Sequence, residues 1–175
     1  GVGANCIYPL LGASIYNWEM VGADIDPKAV AAAKTNVTTS GKLKNNIEIR
    51  HQQEHANIFE GIIGKDESFH FTMCNPPFHT SEEEATKGSL RKLKNLQQPG
   101  QASLSKKEIV LNFQGQANEL WCNGGEALFI KRMIKQSVVF KTQVGWFTTL
   151  VSKKENLPKI YKQLDKLKTT HKTIK

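Results

Sequence analysis

Met73-Cys74-Asn75-Pro76-Pro77-Phe78 is the stretch on which the reading of this chain turns. The run from Phe69 to Cys74 has the composition of a strand and ends in an amide, two prolines and an aromatic ring. The prolines stop the strand, because neither can donate to a sheet ladder. Pro76 also pushes Asn75 out of the α region, and Pro77 does the same to Pro76. The backbone past the strand is therefore stiff, its carbonyls and the Asn75 amide point in fixed directions, and Phe78 is held beside them. Such a turn suits a planar substrate bearing an NH2 group. Asn75 Oδ1 and the Pro76 carbonyl can accept its two N–H bonds while Phe78 stacks on the ring. A strand followed by Asn-Pro is also, often, only a turn. On these residues alone both readings stay open.

The chain upstream bears on the choice. Gly1-Val2-Gly3-Ala4-Asn5 reads as the end of a glycine-rich loop, its preceding strand expected to be absent from the chain. Cys6 to Asn17 follows as a helix, with Asn5 the expected N-cap. Gly1 and Gly3 would admit a ligand close to the backbone, and the helix N-terminus favours negative charge there. Trp18 to Ile25 reads as a buried strand closing on Asp24-Ile25-Asp26-Pro27. Asp26 is placed to cap the next helix, with Pro27 at its first position and Gly41 beyond its end. A glycine loop, a helix, a strand and an acidic strand end, in that order, make the mononucleotide half of a doubly wound α/β fold. A carboxylate at that strand end typically binds ribose hydroxyls, and Asp24 is the candidate.

Downstream, Ile47 to Arg50 reads as the next strand, with Gln52-Gln53-Glu54 where a base-contacting loop would lie. Glu54 is the candidate for the adenine region, and a plain surface loop is the alternative. The segment 79–113 has no clean periodicity. It carries Lys87, Arg91, Lys92 and Lys94, with no acid between residues 87 and 107, and is expected to be a mobile basic lid over RNA or simply disordered. A helix from Glu126 to Val139, a strand from Gln143 to Val151 and an amphipathic helix from Asn156 to Leu167 complete the expectation. Thr169 to Lys175 reads as the start of a further strand. All candidate cofactor and catalytic positions fall at the carboxyl ends of strands, where open α/β sheets form their crevice.

Bulk properties narrow the class. The chain has 175 residues, enough for one domain with its own core, with 39% hydrophobic and 23% charged residues. It shows no apolar run long enough to span a membrane and no signal peptide. Cys6, Cys74 and Cys122 are odd in number and far apart, which points to reduced thiols in a cytoplasm. His51 and His55 lack a third ligand, so no metal is expected. Residues 131–175 hold 12 of the 24 Lys and Arg against Glu155 and Asp165, a net of +10. The remainder is slightly acidic, at −2. A basic excess confined to one end points to an anionic partner, with nucleic acid leading and a solvated lysine-rich helix the alternative. Lys131 and Arg132 join the lid residues as candidate RNA contacts.

Asn75-Pro76-Pro77-Phe78 resembles motif IV of the S-adenosylmethionine-dependent amino-methyltransferases. The chain as a whole resembles the methyltransferase-10 family in GVGANCIYPLLG (1–12), CNPPFH (74–79), ELWCNGGEALFIKRMI (119–134) and WFTTLVSKKENLP (146–158). Relative to that family, the first core strand and a C-terminal strand pair are expected to be missing. The resemblance implies a Rossmann-like class I methyltransferase fold, a doubly wound and mostly parallel sheet, in a single catalytic domain over 1–175. It implies S-adenosylmethionine as cofactor. Gly1, Gly3, Ala4 and Asn5 would hold its methionine part, Asp24 the ribose and Glu54 the adenine region. Asn75 and Pro76 would hold the target amine, Pro77 would stiffen the turn and Phe78 would stack on a flipped adenine. The implied reaction is methylation of an adenine N6 amine in large-subunit ribosomal RNA, with no metal and no membrane. DNA adenine and protein glutamine methyltransferases share the turn, and a catalytically silent RNA-binding module is the non-enzymatic alternative.

Overall fold

The computed structural model describes residues 1–81, 83–85 and 120–174. They fall into two compact units, Gly1–Asn75 with Arg132–Thr149, and Pro76–Lys131 with Leu150–Lys175.

The first unit is α/β. Helix α1 (Ile7–Tyr16), strand β1 (Met20–Asp24), helix α2 (Pro27–Thr39) and strand β2 (Ile47–His51) follow in sequence. Strands β3 (Phe69–Thr72) and β4 (Val144–Phe147) come later, with the end of helix α3 (Gly125–Ser137) just before β4. Among the described residues the strands form two parallel pairs. β1 lies beside β2 from Met20↔Ile47 to Asp24↔His51, and β3 beside β4 from Phe69↔Val144 to Thr72↔Phe147. Parallel neighbours need a crossover, and α2 supplies it between β1 and β2.

Alternation places Ile47 and Ile49 of β2 inward and leaves Glu48 exposed. They meet Cys6 and Ala13, together with Val30, Ala33 and Val37, which recur on one face of α2. A second cluster joins Phe59, Met133, Phe140 and Val144, with the Phe59 ring 5.2 Å from Phe147. The irregular segment carrying Phe59 is held by Gln136, whose Oε1 accepts from the Ile58 and Phe59 amides at 2.9 and 2.8 Å. Arg50 ties β2 to the approach to β3. Its guanidinium bridges Glu67 at 2.5 and 2.7 Å and reaches Glu48 at 2.7 and 2.8 Å.

Several boundaries differ from the sequence reading. The expected strand Trp18–Ile25 shortens to Met20–Asp24, and Trp18 instead stacks on Tyr16 and meets the Phe71 edge. Gln143–Val151 shortens to Val144–Phe147, because pairing with β3 stops at Thr72. Thr148 closes the ladder by donating both its amide and its hydroxyl to the Thr72 carbonyl. Asn5 does not cap α1. Cys6 takes that position in a left-handed conformation, φ 52°, with no side-chain cap. Residues 169–174 form no strand, having no neighbour to pair with among the described residues. Asp26 and Pro27 open α2 as expected, with Asp26 Oδ1 accepting from the Lys28 amide at 2.9 Å.

In the second unit, the start of α3 is joined by helix α4 (Leu157–Lys166). Asn156 stands at the N-cap of α4 but does not cap it with its side chain, which goes to Glu126 instead. No helix among the described residues is long and apolar enough to cross a membrane.

Candidate active site

In the first unit candidate residues Asp24 and Asn75 lie at and just past the carboxyl ends of β1 and β3. Val2 donates to the Ala23 carbonyl at 2.7 Å, so the glycine loop runs beside the end of β1. Gly3 is buried with φ 67°, a conformation that an L side chain would strain. Its amide donates to Asp24 Oδ2 at 2.9 Å, and Oδ1 of the same carboxylate accepts from the Asp26 amide at 3.0 Å. Asp24 is thus the pin of the loop, at 5% exposure. A Cβ at Gly1 would collide with that carboxylate, so a side chain there would push Asp24 off its amide partners. Ala4 is fixed from α2, its carbonyl accepting from Asn36 Nδ2 at 2.9 Å, while Asn5 is exposed.

The candidate adenine loop begins at the same strand end. Gln52 donates its amide to the Asp24 carbonyl at 2.8 Å. Its buried side chain donates to the Glu60 carbonyl and accepts from the Glu54 amide at 3.0 Å, leaving the Glu54 side chain at an exposed position. Gln52 therefore shapes the loop that Glu54 occupies. Its chemistry was missed in the sequence, where it looks like one polar residue among three.

β3 ends at Thr72, two residues earlier than expected, and the chain continues without regular structure through Met73 and Cys74 to an exposed Asn75. Burial pushes the Cys74 thiol pKa up, opposed in part by a hydrogen bond with Thr149. Burial alone raises Cys6 to about 11, so both thiols stay protonated and inert at neutral pH.

In the second unit Pro76 and Pro77 are buried and Phe78 is half-buried, its ring edge-on to His79 at 5.9 Å. The chain after Phe78 is clamped. His79 donates to the Leu120 carbonyl at 3.0 Å and accepts from the Cys122 amide at 3.1 Å, pairing in parallel with Trp121. Gly125 lies against this segment, where a Cβ would meet Thr80 Cγ2 at 3.0 Å. Glu84 reaches back to the Thr80 amide and hydroxyl at 2.9 and 2.7 Å, while its own amide donates to Ser81 Oγ. The Thr80 amide and hydroxyl, in that order of effect, hold the Glu84 carboxyl down at about 2. Ser81-x-x-Glu84 has capping-box spacing, a signal the sequence offered and the reading passed over.

Glu126 is the centre of this unit, at 1% exposure. Its carboxylate accepts from the Ser152 amide and hydroxyl, both at 2.6 Å, the Lys153 amide at 3.1 Å and Asn156 Nδ2 at 2.7 Å. Burial raises its pKa, but the bonds from Ser152, Asn156 and Lys153 outweigh that and the net shift is downward. The sequence reading assigned Glu126 only to the helix dipole. Its being the lone acid between Glu119 and Glu155 was the available hint. Of the candidate RNA contacts, Lys131 is exposed and Arg132 half-buried on α3. Lys87, Arg91, Lys92 and Lys94 lie outside the described residues.

Parallel strand pairs, a glycine loop before α1 and an acid closing β1 together define a Rossmann-like α/β domain of the class I methyltransferase type. The chain belongs to the methyltransferase-10 family (Methyltransf_10), described as RNA methyltransferase, whose model matches residues 1–174. It is 62% identical over 174 residues to ribosomal RNA large subunit methyltransferase F of Christiangramia forsetii, covering 99% of this chain and 59% of that protein. The chain thus spans about three fifths of that relative's length. Among solved structures, the hMettl16 catalytic domain in complex with MAT2A 3'UTR hairpin 1 is 28% identical with a TM-score of 0.72. That likeness covers 95% of this chain and 53% of the other. The N-terminal domain of human METTL16 in complex with SAH shares the fold at 24% identity and a TM-score of 0.65, covering 96% of this chain and 50% of that one.

Proposed function

We propose that this chain is the catalytic part of a methyltransferase that transfers a methyl group from S-adenosylmethionine to the N6 amine of one adenine in large-subunit ribosomal RNA. The observation that carries the reading is the Asp24 carboxylate holding the Gly3 amide beneath a loop whose Gly1 lies against the same carboxylate. Such a cradle fits the cofactor. Among the described residues each Asp24 oxygen accepts from one amide, which leaves acceptor capacity for a ribose hydroxyl. Gly1, Gly3, Ala4 and Asn5 would take the methionine part, and Glu54 the adenine region. Bound there, the cofactor supplies an electrophilic methyl on a sulfonium.

The remaining work falls to the turn after β3. An adenine amine is a poor nucleophile because its lone pair is delocalised into the ring. Asn75 Oδ1 and the Pro76 carbonyl would accept its two hydrogens, which favours the pyramidal amine and turns the lone pair outward. Pro77 keeps the turn stiff, and Phe78 would replace some of the stacking lost when the base leaves its helix. The S–CH3 bond would break as the N–CH3 bond forms, the neutral thioether would leave, and the cationic methylated amine would give its proton to water, so no strong base is needed and the rate gain comes from positioning and electrostatics. Methylation of ribosomal RNA would take place in the cytoplasm, where thiols such as Cys6, Cys74 and Cys122 stay reduced. The full-length protein should transfer labelled methyl to large-subunit ribosomal RNA and yield N6-methyladenosine on digestion. Transfer to DNA or protein, with none to ribosomal RNA, overturns the proposal.

A further inference from the structure

Helices α3 and α4 enclose a groove of about 450 Å³ within the second unit. One wall carries Lys131, and the other carries Lys159, Lys162 and Lys166, all exposed. The floor is apolar, formed by Ala127, Leu128 and Ile160, and no carboxylate is among the described residues lining it. Both walls are fixed. Glu126 of α3 holds Asn156 at the start of α4 at 2.7 Å, and Gln163 Nε2 of α4 donates to the Lys131 carbonyl at 3.0 Å. The groove is therefore built by tertiary bonds and is not a chance gap between mobile side chains.

From these features we infer that the groove is a second RNA-binding site, one that takes the sugar–phosphate backbone of a strand flanking the target adenine. This rests on the proposed RNA substrate. Lys159, Lys162 and Lys166 run along one helix for about 10 Å at the α-helical rise. At about 3.4 Å per step along a stacked strand, that length spans about three phosphate-to-phosphate steps. Lys131 faces them across the floor. All four cations are lysines, which act as point charges and lack the planar fork that reads guanine. Among the described residues the floor has no aromatic ring on which a base could stack, but its methyl and methylene groups suit ribose. The site therefore contributes affinity and orientation without sequence preference. An acidic peptide is the competing occupant; RNA is favoured because its charges recur at every nucleotide, as Lys159, Lys162 and Lys166 recur along one face of α4.

The test compares full-length wild type with a Lys159→Glu, Lys162→Glu, Lys166→Glu variant. A matched control, Lys34→Glu, Lys42→Glu, Lys44→Glu, makes the same charge change on the first unit. Binding to a single-stranded oligoadenylate and to polyglutamate is titrated across salt, without cofactor or turnover. Losing three phosphate contacts should lower the log–log salt slope for RNA by about 2 and weaken binding on the order of a hundredfold at 0.1 M salt. The control should keep the wild-type slope. The inference fails if the groove variant keeps the wild-type slope or if the control loses as much. It also fails if only polyglutamate binding responds to the groove substitutions. Because no methylation is measured, failure here is distinct from failure of the proposed reaction, which is read on ribosomal RNA product.

Discussion

Asp24→Asn is the sharpest perturbation of the cofactor cradle. The two side chains have the same shape, so packing around a residue only 5% exposed is preserved. What changes is the charge and one acceptor. In the native site one oxygen takes the Gly3 amide at 2.9 Å and the other the Asp26 amide at 3.0 Å. Asparagine keeps one oxygen, so in either orientation one of those amides faces an NH2 group. A hydrogen bond to a charged acceptor is worth about 1.5–3 kcal/mol. If the oxygen stays with Asp26, the glycine loop loses its pin, and if it stays with Gly3, the start of α2 loosens. Either way the charge that would receive the ribose hydroxyls is gone. At about 1.36 kcal/mol per decade, cofactor affinity should fall roughly 10- to 150-fold. Calorimetric titration of the full-length protein with S-adenosylmethionine measures this, with thermal unfolding recorded alongside. An unchanged dissociation constant with a lowered Tm would show that Asp24 serves the fold alone and would refute the assignment.

Within the turn, Phe78→Ala should lower kcat/KM by roughly 5- to 150-fold, the loss of about 1–3 kcal/mol of stacking, while Phe78→Tyr retains much of the activity. Asn75→Ala should do more damage and do it in kcat; single-turnover methylation at the wild-type rate would rule out its role as acceptor. Glu126→Gln puts an NH2 group among four donor contacts and should cost about 2–4 kcal/mol. For a chain of this size that lowers Tm by about 5–15 °C, and a drop under 2 °C in a thermal melt would count against the network. Stability should also decline in acid. The Arg50 side chain and then the Gly64 amide hold Glu67 at about 2, down from the ordinary 4.5. Its contribution is present above pH 4.5 and is lost as pH falls toward 2. With the side chain 34% exposed the effect should stay below about 1 kcal/mol, and Glu67→Gln should remove that part of the slope in urea titrations at stepped pH.

The features legible in the amino-acid sequence are those whose cause lies within a few residues. Asp26-Pro27 opens α2 because a cap and a fixed φ act on the next turn of chain. Pro76 and Pro77 exclude strand because they lack an amide hydrogen wherever they sit. The glycine loop, the acidic strand end and the Asn-Pro-Pro-Phe stretch are legible as candidates for the same reason, since their chemistry is carried by residue type and order. Tertiary structure decided what depends on partners far along the chain. Strand ends moved inward because β3 and β4 limit each other's length. Asp24 became a pin for Gly3 across 21 residues, and Glu126 became the acceptor for Ser152 and Asn156 some 30 residues away. The basic residues of 131–175 read only as an excess at one end of the chain until packing set Lys131 of α3 and the lysines of α4 on facing walls of one groove. Composition supplies the charge, but only the fold determines which charges share a surface.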